Sequence, residues 1–306
     1  MIELRAVRKS FGSVKAVDEI SLAAKAGEIF GILGPNGAGK STTIKMIVNI
    51  LAPDSGSILF NGRPIRESDK DRIGYLPEER GLYRNVKIGE MLLYLASLKN
   101  TDRSVAAKRL DAWLDRFGLT EWKTSSPEAL SKGMAQKVQF IASVLHDPEF
   151  LFLDEPFSGL DPVSADSLRE AILELGERGK TILFSTHNME VAEKICSRLI
   201  VIDHGRELIS GTLADIKSRH GRDMVVVEFD GTIDFGSLGR LARCLSSFPR
   251  WAEFELAEGT SPQALLKILV DQVSIRRFEV VAPSLHTIFV ELVGGAGKSR
   301  SVGSGG

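Results

Sequence analysis

The stretch GPNGAGKS, residues 34–41, constrains the fold of this chain more than any other feature. An apolar run of strand length, EIFGILG, leads into it, and TTIKMIVNIL follows with the apolar spacing of a helix. A glycine-rich loop between a strand and a helix lets backbone N–H groups surround phosphate oxygens, and the helix N-terminus adds positive potential. The spacing therefore predicts a phosphate-binding loop, with Lys40 on the terminal phosphates and the Ser41 hydroxyl on Mg²⁺.

A second motif, FLFLDEP at residues 150–156, is an apolar strand that ends in two adjacent acids. Asp154 can hold Mg²⁺ through water, and Glu155 can orient or polarise an attacking water. A strand that simply enters an acidic turn is the common alternative. The phosphate loop in the same predicted sheet favours the catalytic interpretation.

Composition limits the function classes that remain. The chain has 306 residues, which suggests about two domains, and its net charge of −1 argues against general binding to nucleic acid. The two cysteines, Cys196 and Cys244, show no CxxC spacing, which excludes a disulfide framework or a cysteine zinc site. The sequence has no apolar run of about 18 residues and no signal-peptide pattern at its N-terminus. We therefore expect a cytoplasmic protein that reaches a membrane only through a partner.

Strand patterns that alternate with helical patterns predict an α/β fold with a parallel sheet. The polar, basic segment KSRHGRD marks a hinge, and the β-α-β-α-β pattern after it indicates a small separate domain in which SLGRLARCL reads as a helix. The glycine-rich tail lacks core-forming residues and is expected to be disordered. The predicted segments are a domain at 1–218 with a helical part at about 87–148, an accessory domain at 222–293 and a tail at 294–306.

A third motif, LSKGMAQ at residues 130–136, shortly precedes the acidic strand. With the three motifs in this order and spacing, residues 2–215 resemble the ATP-binding subunits of ABC transporters, whose signature is usually LSGGQ. Ser131 and Gly133 match that signature, whereas Lys132 and Met134 depart from it. An ordinary serine N-cap would also explain this segment. The resemblance implies a P-loop NTPase fold: a RecA-like core with an antiparallel β subdomain and a helical subdomain, followed here by a small C-terminal α+β domain.

The resemblance also implies ATP and Mg²⁺ as cofactors and assigns roles to individual residues. Catalysis is expected from Lys40, Glu155 and the switch histidine His187, although a histidine after a strand is ordinarily a capping or surface residue. Adenine stacking is expected from Phe11, for which a place in the core is the alternative. The expected nucleotide contacts are Phe11, Gly34, Pro35, Asn36, Gly37, Ala38, Gly39, Lys40, Ser41, Thr42, Ser131, Gly133 and Asp161, and the expected metal ligands are Ser41, Glu78 and Asp154.

Glu78 lies in the segment YLPEERGLYRNV, which by composition is a solvated turn. In the family, a glutamine that touches Mg²⁺ and the attacking water occupies this position. A carboxylate can bind Mg²⁺ more strongly than an amide, and it repels the γ-phosphate if the metal is missing. The resemblance therefore makes Glu78 a metal-linked residue that senses the nucleotide.

In the family, the signature helix faces the γ-phosphate of the opposite subunit, so hydrolysis implies a second ATP-binding subunit, as in a head-to-tail homodimer. The segment PEERGLY and the C-terminal segment VVAPSLHTIFVELVG resemble sequences found in the ATPases of ABC-2-type exporters, including sodium- and drug-extrusion systems. The expected function is ATP hydrolysis that powers a separate membrane permease from the cytoplasmic face. The alternatives are a non-transport ABC ATPase in translation or DNA maintenance and a binding module without catalysis, and intact Lys40, Asp154, Glu155 and His187 argue against the latter.

Overall fold

The protein, described by a computed structural model, forms two compact units, and the boundary between them along the chain lies between Thr212 and Leu213. We call them the N-terminal unit and the C-terminal unit. The structure describes residues 1–79, 81–83, 85–219 and 224–300, with side chains as far as residue 293. The sequence suggested a boundary between residues 218 and 222, and residues 220–223 of that predicted hinge lie outside the described ranges.

The strands and helices are numbered along the chain. The strands are β1 Ile2–Phe11, β2 Val14–Ala24, β3 Ile29–Leu33, β4 Ser55–Phe60, β5 Arg63–Pro64, β6 Ile73–Leu76, β7 Phe150–Asp154, β8 Thr181–Thr186, β9 Arg198–Asp203, β10 Arg206–Thr212, β11 Met224–Asp230, β12 Ala242–Phe248, β13 Trp251–Leu256 and β14 Ser274–Val281. The helices are α1 Lys40–Ile47, α2 Ile88–Ser97, α3 Arg103–Arg116, α4 Lys132–Val144, α5 Pro162–Glu177, α6 Met189–Ile195, α7 Leu213–Arg219, α8 Pro262–Gln272 and α9 Leu285–Arg300. Short 3₁₀ segments lie at Glu67–Arg72, Thr120–Thr124, Pro127–Ala129 and Phe235–Leu238.

The main sheet of the N-terminal unit has the strand order β10-β9-β3-β8-β7-β6, and all of its pairings are parallel except that of β10 with β9. Every residue of β3, β7 and β8 is buried, as expected for parallel strands covered on both faces. Leu33 pairs with Thr186, and Asp154 pairs with Ser185, so the carboxyl ends of these three strands share one edge. The phosphate loop and the acidic motif therefore begin side by side.

A second, antiparallel sheet in the same unit has the order β2-β1-β4-β5. It shares one apolar core with the main sheet. Phe60 at the end of β4 meets Phe150 and Phe152 of β7 edge-to-face, with ring centroids 5.4 and 6.2 Å apart. The antiparallel subdomain expected from the resemblance is confirmed, and its packing on β7 helps to hold the acidic strand in place.

The helices α2, α3 and α4 form the helical part of the N-terminal unit. Aromatic side chains join the α3 segment to α4, with the Trp113 and Phe117 rings 5.7 and 5.9 Å from that of Phe140 on α4. Ser131 caps α4, because its Oγ accepts a hydrogen bond from the Met134 N–H at 3.2 Å. The signature segment LSKGM is therefore the start of α4, and its serine is the N-cap.

The C-terminal unit contains a four-stranded antiparallel sheet of order β12-β13-β11-β14 together with α7, α8 and α9. Its core is formed by apolar residues such as Val225, Phe254 and Leu265. The helix expected for SLGRLARCL is wrong: the 3₁₀ segment Phe235–Leu238 is followed by β12, which pairs with β13. Gly239 within the segment disfavours a helix, and pairing with β13 completes the sheet.

The backbone of α9 continues as helix to Arg300, whereas the sequence predicted disorder from residue 294. Helix propagation from an established nucleus explains how the glycine-rich residues join it, since each added residue contributes one backbone hydrogen bond. Residues 301–306 of the predicted tail lie outside the described ranges.

Candidate active site

The phosphate loop connects β3 to α1 and depends on glycine at defined positions. Gly34 and Gly39 have φ of +153° and +102°. A Cβ on Gly34 would lie 2.1 Å from the Ile202 carbonyl oxygen, and one on Gly39 would lie 2.2 Å from that of Ala16. Glycine is therefore required at both positions, and the loop is pressed against β2 and β9 with its N–H groups at the start of α1.

Lys40, the first residue of α1, is 5% exposed. Its Nζ donates hydrogen bonds to the Gly34 and Pro35 carbonyl oxygens at 2.9 and 3.1 Å. The same nitrogen lies 3.2 Å from Oε1 of Glu155. The ammonium group is thus held inside the loop and faces the acidic end of β7.

Asp154 ends β7 and is fully buried. Its Oδ1 accepts hydrogen bonds from Ser185 Oγ at 2.5 Å and from Ser41 Oγ at 3.1 Å. Burial is the largest reason why the pKa of Asp154 is raised; the nearby carboxylates of Glu78 and Glu155 raise it further, while the two hydroxyl hydrogen bonds lower it. Its Oδ2 has no hydrogen-bond partner within the described part of the chain.

Glu78 follows β6 and approaches the same serine from the other side. Ser41 Oγ lies 3.1 Å from Glu78 Oε2 and 3.1 Å from Asp154 Oδ1. A hydroxyl has one proton, so Ser41 can donate to only one of these carboxylates at a time. A solvated turn does not account for this contact: the fold brings the Glu78 carboxylate to Ser41 at the end of the phosphate loop.

Glu155 is 6% exposed and has a φ of +47°, an uncommon backbone conformation for a residue with a side chain. Its N–H donates to Ser185 Oγ at 2.9 Å, and both of its carboxylate oxygens lie 3.1 Å from His187 Nδ1. Lys40 contacts the same carboxylate. The turn after β7 therefore places the Glu155 carboxylate between Lys40 and His187, the three residues from which the sequence predicted catalysis.

A cavity of about 290 Å³ lies beside Lys40, Ser41, Glu78 and Glu155. Its lining residues are Val14, Lys15, Ala16, Asn36, Gly37, Gly39, Lys40, Ser41, Thr42, Glu78, Glu155 and His204. Phe11 is half exposed and pairs with Val14 across the β1–β2 turn, with the Lys9 ammonium 5.7 Å from its ring centroid. Phe11 is therefore a surface residue beside the cavity and not a core phenylalanine, which leaves adenine stacking open to it.

The signature residues form a separate cluster. A Cβ placed on Gly133 would lie 3.6 Å from Leu160 and 3.8 Å from Asp161 Oδ2. Asp161 caps α5 by accepting from the Ser164 N–H at 3.0 Å. Among the described residues, Ser131, Gly133 and Asp161 do not line the cavity of their own chain. Nine of the thirteen expected nucleotide contacts belong to the phosphate-loop segment at residues 34–42, of which Asn36, Gly37, Gly39, Lys40, Ser41 and Thr42 line the cavity.

Sequence reasoning missed several residues of this site. Ser185 bridges Asp154 and the Glu155 N–H, and its only sequence signal is a hydroxyl within the buried strand TILFST. Gln136 and Gln139 of α4 donate to the carbonyl oxygens of Pro156 and Glu79 at 3.0 and 3.4 Å. These two amides connect the signature helix to both acidic segments. Gln136 ends the motif LSKGMAQ, but the motif does not indicate this contact, and Gln139 lies outside it.

The donor set suits a hard cation. Carboxylate and hydroxyl oxygens are ligands that Mg²⁺ prefers, and the buried, unpartnered Asp154 Oδ2 is the kind of atom that an ion would satisfy. Within the described residues, no group of three or more His, Cys, Asp or Glu side chains is arranged around a metal position. Ser41, Asp154 and Glu78 would offer Mg²⁺ two carboxylates and one hydroxyl, and its remaining ligands would come from water or nucleotide.

Comparisons with known proteins agree with this geometry. Residues 17–158 match the ABC transporter family, and residues 211–293 match the ATP-binding protein DrrA1-3-like C-terminal domain. The uncharacterized ABC transporter ATP-binding protein YhaQ of Bacillus subtilis is 42% identical over 300 residues, which are 96% of this chain and 99% of that protein. This chain belongs to the ABC transporter ATP-binding proteins.

Two further similarities extend that assignment. The linearmycin resistance ATP-binding protein LnrL of Bacillus subtilis is 37% identical over 229 residues, 74% of each chain. The dimeric structure of MJ0796, a bacterial ABC transporter cassette, shares the fold with a TM-score of 0.65 and 24% identity, over 70% of this chain and 99% of that one. As an ABC transporter ATP-binding protein, the chain binds ATP and hydrolyses it. None of the helices among the described residues combines the length and apolar character needed to cross a membrane.

Proposed function

We propose that this ABC ATPase is the energy-supplying subunit of an ABC-2-type exporter. It dimerises on ATP and drives a separate membrane permease from the cytoplasmic face. The observation that carries the proposal is the separation between the catalytic residues and the signature residues of one chain. Lys40 and Glu155 lie at the nucleotide cavity, whereas Ser131 and Gly133 are not among the described residues that line it. A second copy, placed head to tail, would bring its signature helix to the open side of this cavity.

Within each half-site, the residues divide the work of phosphoryl transfer. The loop N–H groups and Lys40 bind and orient the phosphates, and the N-terminus of α1 adds positive potential. Glu155 positions the attacking water, and His187, 3.1 Å from both carboxylate oxygens, holds that side chain in place. Mg²⁺, when bound, neutralises charge on the phosphates, and Ser41, Asp154 and Glu78 would hold it.

Three observations support an exporter. The chain is similar to a resistance ATP-binding protein, and its C-terminal unit matches a DrrA-like domain. No helix among the described residues can span a membrane, so the transport path would belong to another subunit. The site holds Lys40, Asp154, Glu155 and His187 together, which supports an active ATPase rather than a binding module.

The dimer mechanism is tested with Glu155→Gln, which keeps the shape of the side chain and removes its charge. We expect ATP binding to persist, turnover to fall by about 100-fold or more, and the protein to accumulate as a dimer with Mg²⁺-ATP. Size-exclusion chromatography with light scattering measures the mass with and without nucleotide. A mass that stays monomeric at saturating Mg²⁺-ATP contradicts the proposal.

A second substitution separates dimerisation from ATP binding. Gly133→Asp, added to Glu155→Gln, places a carboxylate on the signature helix, where neighbouring atoms of the same chain leave ordinary contact distances for a Cβ. We expect the dimer to be lost through repulsion of the partner's γ-phosphate, while a fluorescent ATP analogue still binds each monomer. Gly133→Ala is the matched control and should keep the dimer. Equal dimerisation of the aspartate and alanine variants would contradict the two-half-site arrangement.

A further inference from the structure

Two carboxylates converge on one hydroxyl at the phosphate loop. Ser41 Oγ lies 3.1 Å from Glu78 Oε2 and 3.1 Å from Asp154 Oδ1. Because the hydroxyl can donate only one proton, at least one of the two carboxylates receives no hydrogen bond from it. Both carboxyl groups therefore contact the same hydroxyl, which can satisfy only one of them at a time.

The cations of the site do not compensate this pair. Lys40 is directed to Glu155, at 3.2 Å, and to two carbonyl oxygens of the loop. Among the described residues, no lysine, arginine or histidine forms an ion pair with Glu78 or Asp154. The Lys40–Glu155 pair is neutral by itself, so Lys40 does not offset a negative charge on either of the other two carboxyl groups, one of which is fully buried. Such a charge is costly to hold in a protein interior unless a cation neutralises it.

An independent observation points to the position of the ion. Asp154 is 0% exposed, and its Oδ2 has no hydrogen-bond partner within the described residues. Buried carboxylate oxygens are nearly always satisfied, so a bare one beside a converging carboxylate and hydroxyl suggests a missing cation. Oxygen ligands select hard divalent ions such as Mg²⁺ and Mn²⁺.

We propose that Ser41, Asp154 and Glu78 bind a divalent cation of the Mg²⁺ class in the absence of nucleotide, so that the metal can enter this site before ATP. This inference rests on the proposed nucleotide site and adds the order of binding. Mg²⁺ in phosphoryl-transfer sites is usually held by one or two carboxylates plus the substrate phosphates. Here the protein itself supplies a second carboxylate, Glu78. That carboxylate replaces part of the negative charge that the phosphates otherwise bring to the metal.

The chain offers a matched control in the next residue. Glu79 is also exposed and carries the same charge, and it meets α4 through its backbone oxygen, which accepts from Gln139 Nε2. Glu78→Gln and Glu79→Gln therefore change the net charge equally. Only the former removes a carboxylate from Ser41.

The experiment titrates Mn²⁺ into the full-length, nucleotide-free protein and follows free Mn²⁺ by electron paramagnetic resonance, with Mg²⁺ as competitor. We expect one site per chain that Mg²⁺ displaces. Glu78→Gln should weaken its affinity by about tenfold or more, and Glu79→Gln should change it by less than about twofold. Circular dichroism and urea unfolding show that each variant is folded.

The outcomes separate this inference from the proposed function. If the wild-type protein hydrolyses ATP but binds no Mn²⁺ without nucleotide, the inference is overturned and the ATPase role stands. If Glu78→Gln and Glu79→Gln weaken Mn²⁺ equally, the ion lies elsewhere and the inference is also overturned. If Mn²⁺ binds as expected but Glu155→Gln does not dimerise on ATP, the metal site stands and the two-half-site mechanism fails.

Discussion

The two units of the molecule differ in what they bury. Among the described residues, the buried polar and charged side chains of the N-terminal unit are Lys40, Thr43, Asp69, Gln136, Gln139, Ser143, Asp154, Glu155, Thr181, Ser185 and Thr186. In the described part of the C-terminal unit, Glu255 alone belongs to this class. The C-terminal sheet and α8 enclose an apolar core. The N-terminal unit holds a buried ion pair at its sheet edge, together with a carboxylate oxygen that has no hydrogen-bond partner among the described residues.

This difference separates residues that stabilise a fold from residues that perform chemistry. A buried ion pair contributes little net stability, because desolvation of the two charges offsets their attraction. An apolar side chain contributes through the surface it removes from water and the contacts it makes. The N-terminal unit should therefore lose activity at its buried charges, and the C-terminal unit should lose stability at its buried rings.

The largest effect is expected at Lys40. Lys40→Met should reduce ATP turnover by about 1000-fold, because the terminal phosphates lose their cation. It should also destabilise the fold, since Glu155 is left buried beside a half-exposed His187. Steady-state ATPase assays and urea unfolding measure the two effects separately.

The double substitution Lys40→Met with Glu155→Gln sharpens this test. It replaces the charged pair by neutral groups of similar size, so we expect stability to return towards the wild-type value while activity stays lost. If Lys40→Met alone kept the free energy of unfolding of the wild type, the 3.2 Å contact between Lys40 and Glu155 would not be an energetically coupled ion pair.

The opposite behaviour is expected at Phe254 in the C-terminal unit. Phe254 is fully buried in the core of that sheet, so Phe254→Ala should lower the free energy of unfolding by about 3–5 kcal/mol. Turnover per folded molecule should change by less than about twofold, because Phe254 lies outside the ATP site. Phe248→Ala, on the neighbouring strand with a 64% exposed side chain, is the control and should cost below about 1 kcal/mol. Equal losses at the two positions would contradict the apolar-core interpretation.

A smaller effect is expected at His146, which follows α4 in the N-terminal unit. Its ring donates from Nε2 to the Ile73 carbonyl oxygen at 3.0 Å. Burial lowers the pKa of His146 from 6.5 to about 4, the hydrogen bond to Ile73 opposes this shift, and nearby Lys99 adds to it. Between these two pKa values the unfolded chain binds more protons than the folded one, so stability rises with pH from about 4 to 6.5, by up to about 3 kcal/mol.

Urea unfolding across this pH range measures that slope. His146→Asn should flatten it relative to wild type, whereas His204→Asn, at a fully solvated turn position, should keep it. Retention of the full slope in His146→Asn would assign the pH dependence to other groups.

Much of the site was predictable because its chemistry is carried by contiguous residues. GPNGAGKS specifies a loop, FLFLDEP a strand end and LSKGM a helix start, and each motif occupies the element expected of it. SLGRLARCL was misassigned because its apolar residues fit a helix and a strand alike, and the choice depends on a neighbour, β13. Short amphipathic segments are decided by such pairing rather than by their own sequence.

By itself, the sequence determined the α/β class, the phosphate loop with Lys40 and the acidic pair Asp154 and Glu155. Only the tertiary structure decided that Ser185 bridges the two acids and that Glu78 reaches Ser41. Those contacts join residues 31 and 37 positions apart. Local patterns encode which elements form, whereas the register of parallel strands and the packing of loops on their carboxyl ends determine which side chains meet. For that reason, a glutamate inside an ordinary charged turn came within hydrogen-bond distance of the phosphate-loop serine only when the sheet was assembled.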